Sequence, residues 1–466
     1  MRRTKSRFAG FVAVLLAFAL VAAACGDDDA GTTQPPATTE GPATTEAPAT
    51  TTAPTADPVI VCELAYYTGE FAPYGPALTA DVAFPIYDVI NEDPPLGRPW
   101  TLVSEDLGTV GEGQAARTCL EVHGAEIVVS MSHGYRTYRD WVLEWIAEND
   151  GPLGPTVHGG TVPGNLGGTA AEPLFRAQGL DEALGFTGVL KAEDFGAKTI
   201  VVFATEVEGF QLAAGSAVQA AEALGIEVLA RIDVPAEQPS YRAEAQQILR
   251  LNPDAVIIQA GSVESATLIN EFAEAGGSTH WIGETGWVQP EFVGGLNAGV
   301  IESQKSVGLA GIGYRDDNPA WDFYEAKYLA SSIPPPGQED PSGDYHFTTY
   351  DLMILTALAV EYGGSYKASD WAPAMHAIGS APGTVCYTYP ECLALIRAGE
   401  EIDYEGVTGS GEFTEGGVND QFQTYTGFNA DGSLTAPEIF DAARVLALTE
   451  LAAVEADCDA NNVCDW

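Results

Sequence analysis

Short apolar blocks recur along this chain, separated by longer stretches in which apolar residues return every three or four positions. "VIVCELAYY" from Val59, "WTLVSED" from Trp100, "EIVVS" from Glu126 and "GPTVHGG" from Gly154 have the length of strands. Between them, 76–91, 112–122 and 138–148 carry the helical spacing. A second series follows from about Asp181: "KTIVVFAT", "IEVLARI", "DAVIIQA" and "HWIGE" are strands, and 210–224, 241–251 and 263–275 are helices. Strands that read apolar throughout, each followed by a helix, predict parallel sheets covered on both faces. The fold class expected is α/β, two doubly wound Rossmann-like units in tandem, since the stretch beyond Val59 is too long for one ordinary core.

The N-terminus reads differently. Arg2, Arg3, Lys5 and Arg7 precede an apolar run, Phe11–Val21, that is too short to span a bilayer, which is the pattern of a secretory signal. Ala22-Ala23-Ala24-Cys25 resembles a bacterial lipobox, although alanine stands where leucine is usual three places before the cysteine. Residues 1–24 are therefore expected to be a lipoprotein signal peptide, with Cys25 the acylated residue that fixes the chain to the membrane surface. Plain secretion with a free Cys25 is the alternative. From 25 to 58 the chain is rich in Thr, Pro and Ala with almost no large apolar side chain, so it is expected to be a disordered tether.

Six further cysteines, an even number in an exported chain, imply disulfides. Cys386 with Cys392 and Cys458 with Cys464 are close enough for local loops, which leaves Cys62 for Cys119. Without a C-x-x-C, zinc ribbons and thioredoxin-like chemistry lose their signature. The formal charge of −46 excludes nucleic acid and anionic headgroups as partners by simple repulsion. It fits a salty habitat and a cationic ligand equally.

In doubly wound sheets, ligands meet the loops beyond the carboxyl ends of the strands. Those loops are Thr68–Gly75, "MSHGYR", "HGGTVPGN", "TEVEGF", "GSVES" and "ETGW". Gly159 and Gly160 allow close backbone approach and Thr161 adds a hydroxyl, a set suited to a carboxylate or another small polar group. The alternative for these glycines is that they only turn the chain. His133 and His158 end neighbouring strands, but no third ligand is fixed, so hydrogen-bonding roles are expected and no metal or other cofactor. Glu206, Glu208 and Glu284 could attract an amine, or simply be solvated. The tail "DCDANNVCD" alternates oxygen ligands like part of a calcium loop but lacks its glycine and distal glutamate, so a disulfide-closed tail is expected.

"TGEFAPYG" after the first strand, a helix ending in "DVIN", "WTLVSEDLG", "FTTYDLMILTALAVE" and "GSGEFTEGGVNDQFQTYTGFNADGSL" together resemble the type 1 solute-binding proteins of ABC transporters, the periplasmic binders of branched-chain amino acids, urea and short amides. The similarity spans most of Val59–Leu434. It implies two lobes, 59–178 plus 310–417 and 179–309 plus 418–434, followed by a C-terminal extension, 435–466. Three crossings join them, near Arg176–Asp181, Glu302–Gly311 and Val418–Phe422, and the lobes close on a solute like a hinge. Tyr74 then matches a pocket-wall aromatic. Gly159 and Thr161 match the pair holding an amino acid's charged groups, and Ser132 or His133 falls near a serine contact. In the second lobe the family's tyrosines are replaced by Val207 or Glu208 and by Gly261, and its ammonium-binding glutamate falls at Glu284 or Thr285. The implied partners are a small polar solute and a membrane permease, and the implied state is a lipid-anchored monomer outside the cytoplasm.

Enzyme motifs are missing: no G-x-S-x-G, S-x-x-K, H-E-x-x-H or phosphate loop occurs. Ser130 or Ser132 beside His133 leaves a lipoprotein hydrolase as one alternative. A ligand-sensing module that does not transport is another.

Overall fold

The computed structural model describes residues 57–69, 72–130, 134–151, 154–156, 166–176, 181–314, 317–419, 423–440, 444–445 and 447–448. The leader, Cys25, the tether, Cys458 and Cys464 lie outside the described residues. Among the described residues no helix is long and apolar enough to cross a membrane.

The first half is built on β1 (Val59–Ala65), β2 (Trp100–Asp106), β3 (Ile127–Ser130), β4 (Gly154–Thr156) and β5 (Leu174–Arg176). They form one parallel sheet in the order β2-β1-β3-β4-β5. The second half repeats that order with β6 (Thr199–Thr205), β7 (Glu227–Val234), β8 (Ala255–Gln259), β9 (His280–Gly283) and β10 (Ser306–Ile312). The tandem doubly wound architecture expected from the spacing is present.

Alternation explains the second sheet's burial. Ile200, Val202 and Ala204 on β6 pack with Ile257 and Ile282 on one face, while Val201 and Phe203 pack with Val256, Ile258 and Trp281 on the other. Side chains of period two thus feed two cores from one strand, and every residue from Ile200 to Thr205 is buried.

Three short strands form a small separate sheet: β11 (Thr384–Cys386), β12 (Ile402–Gly406) and β13 (Gly409–Ser410). The buried Asp351 carboxylate secures its turn, accepting from Tyr404 Oη, Thr408 N and Thr408 Oγ1, each at 2.7 Å. The chain then returns to the second sheet. β14 (Gln423–Gly427) pairs antiparallel with β10, and β15 (Glu438–Ile439) pairs with β14. Residues Glu438 and Ile439 are therefore part of that sheet.

Three passages connect the halves: from β5 to the helix Asp181–Asp194, from β10 to the helix Pro319–Ala330, and from Asn419 to β14. β10 stays in the second sheet as far as Ile312, and the helix after it contributes Ala320, Trp321 and Tyr324 to the first core. At the first and third passages Arg176 is wholly buried. Its Nη2 donates to Leu166 O at 2.7 Å and Gly416 O at 3.0 Å, and its backbone bonds Gly417 and Asn419.

Among the described residues two disulfides are formed, Cys62–Cys119 and Cys386–Cys392, both as the spacing predicted. The first ties β1 to the turn Thr118–Val122, which continues the helix Glu112–Arg117.

Candidate functional site: the seam between the two sheets

The strand order reverses between β1 and β3 in the first sheet and between β6 and β8 in the second, so the loops at those strand ends bound the natural ligand crevice. In the first half the loop after β1 is held by Asp106 at the tip of β2, which accepts from Tyr67 N at 3.0 Å and from Thr68 Oγ1 at 3.0 Å. The loop ends at Tyr74, one residue before the helix Gly75–Asp88.

Tyr74 lies on the seam and is 4% exposed. Its hydroxyl is 3.1 Å from Ser262 Oγ, which donates at 2.8 Å to Gly286 O in the loop after β9. A second pair crosses nearby: Thr285 Oγ1 and the Tyr345 hydroxyl are 2.6 Å apart, and the Tyr345 ring stands edge-on to Tyr74 at 6.5 Å. Tyr345 belongs to the long helix Asp344–Gly363, which packs in the first core. A third contact runs through the segment between the helices Pro319–Ala330 and Asp344–Gly363. Gln338 Nε2 donates to Gln289 Oε1 at 3.1 Å, while Gln338 Oε1 meets His346, itself 2.6 Å from the buried Asp81 carboxylate. Apolar contact adds to these, since Phe210 and Val207, from the start of the second half's helix Glu208–Ala223, pack against the first core.

Glu284 is 4% exposed and works within its own loop, its Oε2 accepting from Gly286 N at 2.7 Å and Thr285 Oγ1 at 3.3 Å. That is a helix N-cap made by a glutamate. Gly261 is the N-cap residue of the helix Ser262–Glu274, and the cross-seam contact is made by its neighbour Ser262. Glu208 opens its helix, and its side chain lies outside the described residues. So do Ser132, His133, His158, Gly159, Gly160 and Thr161.

The described contacts thus bring Tyr74, Glu284 and Thr285 together; they add Ser262, Gly286 and Phe210, which lie in the loops named from the sequence without being singled out, and Tyr345, which sequence reasoning missed. Ser262 is one residue from the predicted Gly261, and Tyr345 stands two before the quoted "FTTYDL". The hydrophobic period marks neither.

Beside Tyr74 the seam opens into a recess of about 310 Å³. Gly69, Pro73 and Tyr74 line it on one side, and Glu237, Gln238, Ser262, Val263 and Glu264 on the other. Among the described residues its charged lining groups, Glu237 and Glu264, are acidic. Burial pushes the Glu264 carboxyl up, with the neighbouring Glu237 charge adding to the shift. Hydroxyls, carboxylates and aromatic edges around a seam between two sheets recognise by hydrogen bonding and shape. Among the described residues no cluster of three or more His, Cys, Asp or Glu is arranged to hold a metal ion.

The chain belongs to the periplasmic binding protein family, whose model matches residues 61–379, more than half of its length. Solved structures with the same type 1 fold include a leucine-binding protein from Thermotoga maritima, with 15% identity and a TM-score of 0.64, the match covering 82% of this chain and 99% of that one. A branched-chain amino acid transporter substrate-binding protein from Streptococcus pneumoniae, in complex with isoleucine, matches at 15% identity and TM-score 0.63 over 82% and 99%. A solute-binding protein of an ABC transporter from R. palustris, in complex with benzoate, matches at 15% identity and TM-score 0.60 over 82% and 97%. A search of the curated proteins finds no significant match.

Proposed function

We propose that this protein is the solute-capturing lipoprotein of an ABC importer. It is anchored through Cys25 to the outer face of the cell membrane by the 25–58 tether, and it takes up a small polar solute between two lobes, one built on β1–β5 and the helices that follow β10, the other on β6–β10 with β14 and β15. The solute is an amino acid, an amide or a related compound. Hinge closure buries it, and a membrane permease receives it. The protein itself performs no chemistry on the solute and acts as a monomer.

The observation that carries this reading is the meeting of side chains at the strand ends: Tyr74 with Ser262, and Tyr345 of the helix Asp344–Gly363 with Thr285, join the two halves where a doubly wound pair presents its ligand. Those four side chains and the loop Gly159–Thr161 are the proposed solute contacts. The isoleucine and benzoate complexes of similarly folded proteins define the range to search.

The test is a thermal-shift screen of the mature domain against amino acids, amides, urea, polyamines, sugars and small carboxylates, because a ligand held only by the folded chain raises the melting temperature. Calorimetry then quantifies any hit, and Thr161→Ala should weaken it several-fold. A full screen without a saturable hit would count against solute capture. A Cys25→Ala chain that remains in the membrane fraction would count against the anchor.

A further inference from the structure

Two glycines on opposite sides of the seam are required by space, since neither has the positive φ at which glycine is favoured by its backbone. At Gly75 a Cβ would lie 1.7 Å from the Tyr66 carbonyl oxygen, so the start of that helix is pressed onto the loop after β1. This close approach fixes where the preceding residue, Tyr74, begins. At Gly286 a Cβ would lie 2.1 Å from Tyr74 Oη, against an atom of the other half.

Neither side can yield easily. Tyr74 is almost fully buried and has the Tyr345 ring edge-on to it. The Gly286 loop is held from behind by Trp287, which is fully buried and stacked at 4.2 Å on Phe292, and by Ser262 Oγ donating to Gly286 O. Packed interiors transmit such a contact as displacement of whole elements.

Resting on the reading of the two halves as moving lobes, we infer that Tyr74 and Gly286 form the mechanical stop of closure. The missing side chain at 286 sets how near the halves come, and that distance is the one at which the Tyr74–Ser262 and Tyr345–Thr285 hydroxyls meet. Any side chain at 286 props the seam open while leaving each half folded.

A double-mutant cycle tests this in the mature domain with no solute added, so that a failed solute screen does not bear on the outcome. Gly286→Ala should lower the melting temperature and enlarge the radius of gyration measured by X-ray scattering. Both effects should shrink by at least half when Tyr74→Ala is also present, because the obstructing ring is then gone. Equal effects of Gly286→Ala in both backgrounds would overturn the proposal, because the clash would then be with Glu284 Oε1, 2.5 Å from the same Cβ position, inside one half. Coupled melting temperatures without any change in scattering would overturn it too, because the ring would then have moved aside and the halves would not have parted. Should Gly286→Ala fold poorly, Gly286→Ser and Tyr74→Leu complete the same cycle with the same expected coupling.

Discussion

The hydroxyls of Tyr345 and Thr285 lie 2.6 Å apart across the seam, one carried by a helix of the first core and the other by the loop after β9. Both residues are nearly inaccessible, so water cannot substitute well for either partner. Removing one hydroxyl strands the other in a dry setting, although Thr285 retains Glu284 as an acceptor. Tyr345→Phe should therefore cost about 1–2 kcal/mol of closed-form stability. For a solute bound in the closed form, that is roughly a 5- to 30-fold rise in Kd, read by calorimetry on whichever screened compound binds. An unchanged Kd would place this pair outside the closing mechanism.

Glu63 sits in the middle of β1 with no exposed surface, and burial pushes its carboxyl up to about 8 despite a hydrogen bond from Ser104 at 2.9 Å. Burial likewise pushes Glu182, at the start of the helix Asp181–Asp194, to about 7. Unfolded, both titrate near 4.5. Between that value and the folded ones, the folded chain holds protons that the unfolded chain releases, so stability is greatest below the window and falls as pH rises through it. Urea midpoints should drop from about pH 5 to about pH 8. Glu63→Gln, neutral at every pH, should flatten that slope and be the more stable protein at the alkaline end. A slope identical to the wild type's would mean that Glu63 is ionised in the folded state.

How much of this was legible in the sequence follows from what each feature depends on. β6 could be read because "TIVVFAT" must fill a core on each of its faces, and that demand is written residue by residue. The pairing of Cys62 with Cys119 followed once the four cysteines close in sequence were expected to pair locally, and Cys386–Cys392 is the one of those local pairs among the described residues. The seam was legible only as a set of loops. Ser262 was missed by one position because a loop tip has no periodic constraint to fix its register. Tyr345 was missed because its role comes from docking against a loop sixty residues away in sequence, ahead of the apolar run that announces its helix. Glu284 was picked for its charge, whereas its capping of Gly286 N depends on the loop's conformation, which no residue spacing encodes.

The two disulfides should differ in worth. Cys62 and Cys119 close a stretch with a sequence separation of 57, and Cys386 and Cys392 one of 6. Cross-linking the longer loop removes more freedom from the unfolded chain, about 4 kcal/mol against about 2 kcal/mol in the chain-entropy model. Cys62→Ala/Cys119→Ala should therefore lower the urea midpoint further than Cys386→Ala/Cys392→Ala. The reverse order would show that the small sheet around β11 depends on its bridge for more than loop entropy.

Arg176 ends β5 wholly buried, its guanidinium spent on the carbonyls of Leu166 and Gly416 while its backbone bridges to Val418. It thereby holds the starts of the first and third passages, Arg176 and Gly416–Asn419, side by side. Arg176→Met keeps much of the side chain's bulk but strands two buried carbonyl oxygens, at about 1–3 kcal/mol each. The variant should lose a few kcal/mol in denaturant unfolding and show faster amide exchange at Gly417 and Asn419 than at β6, because the damage begins at the passages. Uniform acceleration of exchange across both sheets would instead make Arg176 a support of the whole fold, without a special hold on the connection between its halves.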